Sequence, residues 1–199
     1  MDGSDAAEVA RARAGDEGAF RGLVERHATA VFRVAYRITG NEHDAEDVVQ
    51  EAFLKAWKQL ATFEDRASFG SWLHRIAANC AYDALRSRAV RRTALSESSD
   101  EALSALPAEA PLADRLVESS EVQRRIGAAM ARLSPVERAA FVLRHFEEMS
   151  TREIGDSLGV GESAAKQSVF RAVRKLREAL LPFVTVSYTH LTLPTNREV

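Results

Sequence analysis

From Phe20 to Ile38 the positions Phe20, Leu23, Val24, His27, Val31, Val34, Ala35 and Ile38 return every three or four residues. That spacing fits one face of an α-helix and no strand, whose side chains change face at every residue. Thr39-Gly40-Asn41 predicts a stop, and Asp44 is the expected N-cap of a second helix with Val48, Val49, Ala52, Phe53, Ala56 and Trp57 inward. After a loop over 62–68, Leu73, Ile76, Ala77, Cys80 and Ala84 set a third stripe. The period returns with Val122, Ile126, Ala129, Met130 and Leu133. Ser134-Pro135-Val136-Glu137 and Ser150-Thr151-Arg152-Glu153 both have the form of a capping box, and Pro135 stands where its missing N–H costs nothing. The expected fold is all-α.

The helical pattern lapses between residues 93 and 118, where Ser96, Ser98, Ser99, Pro107 and Pro111 mix with acids. The predicted organisation is two small helical domains, 1–92 and 119–183, joined by a flexible acidic linker over 93–118. Charge is segregated along the same lines. Residues 42–55 carry Glu42, Asp44, Glu46, Asp47 and Glu51 against Lys55, whereas residues 71–92 carry Arg75, Arg86, Arg88, Arg91 and Arg92 against Asp83. The net charge of −2 therefore hides separate surfaces for different partners and excludes only a uniformly basic coat protein. A lone cysteine, Cys80, rules out an internal disulfide and a cysteine-based zinc site. With no apolar run near the ~20 residues of a membrane span, and an acidic start unlike a signal peptide, the chain reads as cytoplasmic without membrane insertion. Residues 184–199 hold four threonines against five in the preceding 183, which marks them as a foreign or read-through tail.

Residues 150–180 carry the clearest motif. A short helix from Thr151 to Leu158 packs through Ile154 and Leu158, Gly159 supplies the positive φ of a sharp turn, and a longer helix starts near Glu162. Two helices joined in this way read as a helix-turn-helix. Ala165, Val169, Ala172, Val173 and Leu176 face inward, leaving Ser163, Lys166, Gln167, Phe170, Arg171 and Arg174 outside. A basic face by itself is more often just solvated. The turn glycine, capping box and inner stripe together favour a helix for the major groove, with Lys166 and Gln167 reading bases and the later arginines on phosphates.

Two further stretches admit both a structural and a functional reading. The acidic helix start Asp44 to Phe53 either serves the helix dipole over a core or presents Asp47, Gln50 and Glu51 to a basic protein surface. The aromatic-rich run Phe63 to Leu73 precedes Arg75, Asn79, Tyr82 and Arg86, which form one stripe opposite the core. Such a polar stripe suits an unstacked base, for which stacking contributes about 1–3 kcal/mol. Phe69 and Trp72 fit equally well as core.

Taken together, Asp44-Ala-Glu-Asp-Val-Val-Gln-Glu-Ala-Phe and Phe69-Gly-Ser-Trp-Leu-His-Arg-Ile-Ala-Ala-Asn79 resemble sigma region 2. Leu133-Ser-Pro-Val-Glu-Arg-Ala-Ala-Phe with the helix-turn-helix resembles sigma region 4. The combination over roughly 16–182, with no region 3, is similar to the bacterial extracytoplasmic-function sigma factors of the sigma-70 family. The resemblance implies that Asp47, Gln50 and Glu51 dock on the β′ clamp helices of core RNA polymerase, with the β flap as a further contact. It implies that Glu64, Asp65, Arg66, Ala67 and Ser68, with Arg75 and Asn79, capture a flipped base of the promoter −10 element and open the duplex. Ser163, Lys166, Gln167, Phe170, Arg171 and Arg174 would face the −35 element. The linker would thread the basic channel later used by nascent RNA, and an anti-sigma factor would mask the polymerase-binding surfaces. Ala164, Ala165 and Ser168 depart from the Thr-Val and arginine that many relatives carry there.

No cofactor, metal or catalytic residue is expected. One alternative is a helix-turn-helix regulator that binds duplex DNA without polymerase, which leaves the acidic helix and aromatic loop idle. Another is a metal-dependent phosphohydrolase built on His43-Asp44, a dipeptide with no matching ligand motif around His27, His74 or His145.

Overall fold

The computed structural model describes residues 3–64, 68–96 and 117–184, and among these every regular element is helical. In chain order they are α1 (Gly3–Arg13), α2 (Glu17–Thr39), α3 (Glu42–Gln59), a 3-10 turn (Leu60–Thr62), α4 (Phe69–Ser96), α5 (Val117–Ala131), α6 (Pro135–His145), α7 (Thr151–Leu158) and α8 (Glu162–Val184).

The first four helices form one bundle. α1 was not visible in the periodicity because only Val9 and Ala12 reach the core from it. Ions hold it instead: Arg26 of α2 meets Asp5 at 2.5 Å and Glu8 at 3.0 Å. Asp16 caps α2 by accepting the Ala19 N–H at 3.0 Å. That bond, followed by the Arg11 guanidinium, lowers the Asp16 pKa. Gly40, at φ 67°, ends α2 where a stop was expected. The cap of α3 is Asn41 and not Asp44, since Asn41 Oδ1 accepts the Asp44 N–H at 2.9 Å. Asp44 lies one turn further in and pairs with Arg88 of α4 at 2.8 Å. Phe69 is buried among Phe63, Trp72 and His27, and Trp72 is half-buried, so both belong to the core reading.

The second half contains both expected capping boxes, at Ser134 with Glu137 and at Ser150 with Glu153. α5 departs from its predicted stripe. Ala129 and Leu133 are buried against Ala172 and Leu176 of α8, but Val122 and Ile126 are 56% and 45% exposed. α5 therefore offers α8 only its C-terminal end. Between α7 and α8, Gly159 adopts φ 64° and donates to the Gly155 carbonyl. Gly155 is fixed for another reason: a Cβ there would stand 2.9 Å from the Val160 carbonyl oxygen and 3.2 Å from the Glu162 nitrogen. Both neighbours are backbone and yield only if the turn opens. Gly155→Ala is expected to destabilise this half by about 1–3 kcal/mol, read as a lowered midpoint in thermal unfolding. An unchanged midpoint would show that the turn relaxes freely.

The two halves pack on each other, which the helical period did not announce. One apolar cluster runs from Val9 and Leu23 through Leu73 and Ala77 to Val142, Leu143, Ile154 and Ala165. α6 touches α2 and α4, and α7 touches α4. At this junction Arg138, only 8% exposed, donates from Nη1 to the Ile38 and Thr39 carbonyls at 3.0 and 3.2 Å. Its Nε donates to Met130 O at 3.0 Å. The last carbonyls of α2 have no partner within their own helix, and this cation supplies one. Burial lowers the Arg138 pKa. The stretch expected as a linker lies outside the described residues over 97–116, as does the expected tail beyond 184.

Candidate nucleic-acid interface

α8 presents its outer face to solvent. Ser163, Lys166, Gln167, Phe170, Arg171 and Arg174 are all exposed, Phe170 by 67%, while Ala165, Ala172 and Leu176 are buried. Inner and outer sets thus separate as the sequence predicted, with Val169 and Val173 half-buried between them. Ser168 is buried and returns its hydroxyl to Ala164 O at 2.8 Å. Glu137 anchors this helix: Oε2 meets Lys175 Nζ at 2.7 Å and Oε1 meets Arg171 Nε at 3.3 Å. Burial pushes the Glu137 pKa up, but Lys175 and the Ser134 N–H outweigh it and the net shift is downward. The same carboxylate that caps α6 therefore sets the roll of α8. Among the described residues Lys166 and Gln167 have no such tether, and both are exposed.

On α3, Asp47, Gln50 and Glu51 are exposed, and Glu51 is paired with Lys55 at 2.7 Å. Two apolar residues continue this face: Leu54, which the period left unassigned, and Trp57, which it placed inward and which the structure turns to the edge of the core. Leu54 is 61% exposed, and Trp57 is 37% exposed with its ring against Phe20 at 4.8 Å. Positions 47, 50, 51, 54 and 57 follow helical spacing and make one stripe, acidic at the start and apolar at the end. The signal that could have found Leu54 is its place four residues beyond Gln50.

The expected −10 residues are distributed less simply. Asp65, Arg66 and Ala67 lie outside the described residues. Glu64 and Ser68 are exposed, and Ser68 Oγ accepts the Ser71 N–H at 3.1 Å, capping α4. Arg75 and Asn79 do not stand open to solvent. Arg75 Nη2 meets Glu153 Oε1 of α7 at 2.5 Å, and Ser157 Oγ donates to Asn79 Oδ1 at 2.8 Å. The predicted polar stripe therefore faces α7 at Arg75 and Asn79 and becomes exposed only at Arg86. Nearby, His74 Nδ1 lies 2.5 Å from Glu147 Oε2.

Among the described residues no group of three His, Cys, Asp or Glu side chains is arranged to hold a metal ion. His27 pairs with Asp5, His74 with Glu147, and His145 packs on Phe141, so the histidines do not converge near His43. No described helix is long and apolar enough to cross a membrane.

The Sigma-70 region 2 family matches residues 23–91, and the Sigma-70, region 4 family matches residues 123–176. The chain is 38% identical over 159 residues to the ECF RNA polymerase sigma factor SigE of Mycolicibacterium smegmatis, spanning 79% of itself and 60% of that protein. It is 34% identical to SigL of Mycobacterium tuberculosis over 87% of itself and 96% of that relative. CnrH, solved in complex with the cytosolic domain of CnrY, superposes with a TM-score of 0.57 at 29% identity, covering 90% of this chain and 97% of that one. With an exposed acidic stripe on α3, followed along the chain by an exposed helix-turn-helix face on α8, this chain belongs to the ECF RNA polymerase sigma factors.

Proposed function

We propose that the chain works in the cytoplasm as the specificity subunit of RNA polymerase and has no active site of its own. Asp47, Gln50 and Glu51 dock on the β′ clamp helices, with Leu54 and Trp57 supplying the apolar end of the contact. Glu64 to Ser68, Arg75 and Asn79 receive the −10 element as a single strand. Ser163, Lys166, Gln167, Phe170, Arg171 and Arg174 lie in the −35 major groove, and the β flap supports this half. An anti-sigma factor covers these surfaces until release, a reading supported by the bound CnrY domain on CnrH. The observation that carries the proposal is the exposure of the α8 basic face together with the exposed acidic stripe on α3.

The direct test is transcription by core polymerase reconstituted with this chain on a library of random upstream sequences. Transcripts should share two upstream motifs; absence of any initiation overturns the proposal. A finer expectation separates base reading from phosphate binding. Lys166→Ala should change −35 preference by about 1–3 kcal/mol at one or two positions. Arg174→Ala should weaken all sequences alike and reduce the salt slope by about one unit. Equal, sequence-independent losses for both would remove Lys166 from the reading set.

A further inference from the structure

Among its described residues α1 buries Val9 and Ala12 alone, yet its polar side chains reach both ends of the stretch between α3 and α4. At the first end Arg13 Nε donates to Leu60 O at 3.1 Å, and Nη2 donates to Phe63 O. Leu60 O also accepts the Phe63 N–H at 3.3 Å, so one guanidinium staples the whole 3-10 turn. Arg13 Cζ lies 5.5 Å from the centre of the Phe63 ring, which adds a cation–π contact. At the second end Asp5 Oδ2 faces His27 Nε2 at 3.0 Å. The His27 ring in turn packs edge-on against Phe69 at 5.4 Å. It also covers Gly70, where a Cβ would stand 3.3 Å from His27 Cε1. Phe63 and Phe69 meet ring to ring at 5.8 Å and close the base between the two ends.

We infer that α1 is a positioning element for promoter recognition, with Arg13 as its main residue. It fixes the two shoulders, Phe63 and Phe69, between which the proposed −10 residues Glu64 and Ser68 stand. The inference rests on that −10 role and adds to it a residue from the far end of the bundle.

Five residues separate Phe63 from Phe69. A stretch so short takes its shape from its ends, and each anchor removed adds conformations that DNA must later exclude. Extruding a base already costs unstacking, so ordering the receiving residues at the same moment compounds that cost. Arg13 is not itself placed to read a base, because Nε and Nη2 are engaged by backbone carbonyls. Its effect passes through Phe63. Lysine in its place could serve one carbonyl but not two in a fixed fork.

The test uses core polymerase reconstituted with the full chain and a pool of 12-nucleotide single strands randomised throughout. Sequencing the bound strands gives a preference for each base at each position. Arg13→Ala should cut the parent's strongest base preference roughly fivefold to tenfold, with affinity for core enzyme and selection of −35 duplex unchanged. Arg13→Lys should recover part of the loss. Val9→Ala is the control for general weakening, since it opens a cavity under α1 and leaves the Arg13 contacts in place. Well below its melting midpoint it should select as the parent does. Parent-like selection by Arg13→Ala overturns the inference, and so does an equal loss in Val9→Ala, which would reduce Arg13 to general support of α1. Glu64→Ala with Ser68→Gly addresses the underlying reading, glycine being a tolerated cap for α4. Should the parent show no preference, or that double variant keep it, the −10 assignment of these residues falls and the role of α1 falls with it.

Discussion

Glu51→Lys should weaken binding to core RNA polymerase on the order of a hundredfold, measured by polarisation of a labelled chain titrated with core enzyme. The side chain is exposed in the middle of the α3 stripe, so the change leaves the buried core alone. Reversal does more than delete one attraction. Glu51 now neutralises Lys55 at 2.7 Å, and its replacement puts two lysines four residues apart on a face proposed to meet a basic surface. Like charges brought together across an interface cost several kcal/mol, whereas two lysines on an exposed helix face cost only about 0.2–0.5 kcal/mol of stability. Glu51→Gln should accordingly lose far less than Glu51→Lys. Leu54→Ala should join the severe class if the apolar end of the stripe is seated in a desolvated pocket. A regulator that works without polymerase would show no binding in the parent chain, and equal affinities for parent and variant would remove α3 from the docking surface.

How much of this was legible in the sequence follows from what each signal encodes. Helical period registers which face a helix buries, and it placed the stripes of α2 and α8 and, Trp57 apart, that of α3. A fixed offset shows a local bond: Ser150 and Glu153 stand three apart, and the box forms. The same offset says nothing of the second oxygen, and Glu153 uses that one on Arg75, far along the chain. α1 escaped because its attachment is ionic and its apolar face holds little more than Val9 and Ala12. Asp44 was mistaken for a cap because acids belong both at caps and in first turns, and only the backbone geometry at Asn41 separates the two. Val122 and Ile126 show the converse, a sound period on a helix that meets its partner only at its C-terminal end. Packing between the halves was hidden most deeply, because its central residue is an arginine.

Arg138→Met should cost about 2–3 kcal/mol of stability, since the carbonyls of Ile38 and Thr39 lose their donor yet stay buried under a side chain of similar volume. Part of that loss is returned, because a methionine does not carry the desolvation penalty of a buried cation. Lysine is a sharper control. One ammonium on a flexible stem cannot serve Nη1 contacts to α2 and an Nε contact to Met130 together, so Arg138→Lys should recover only a fraction. Calorimetry separates two consequences of the same bonds. The parent chain should unfold in one transition, because a single apolar cluster joins both halves. Without the guanidinium the helix-turn-helix half should melt first and the α1 to α4 bundle later, giving two transitions. A single transition at an unchanged midpoint would mean that apolar contact alone joins α6 to α2, and that the cation at the junction is dispensable.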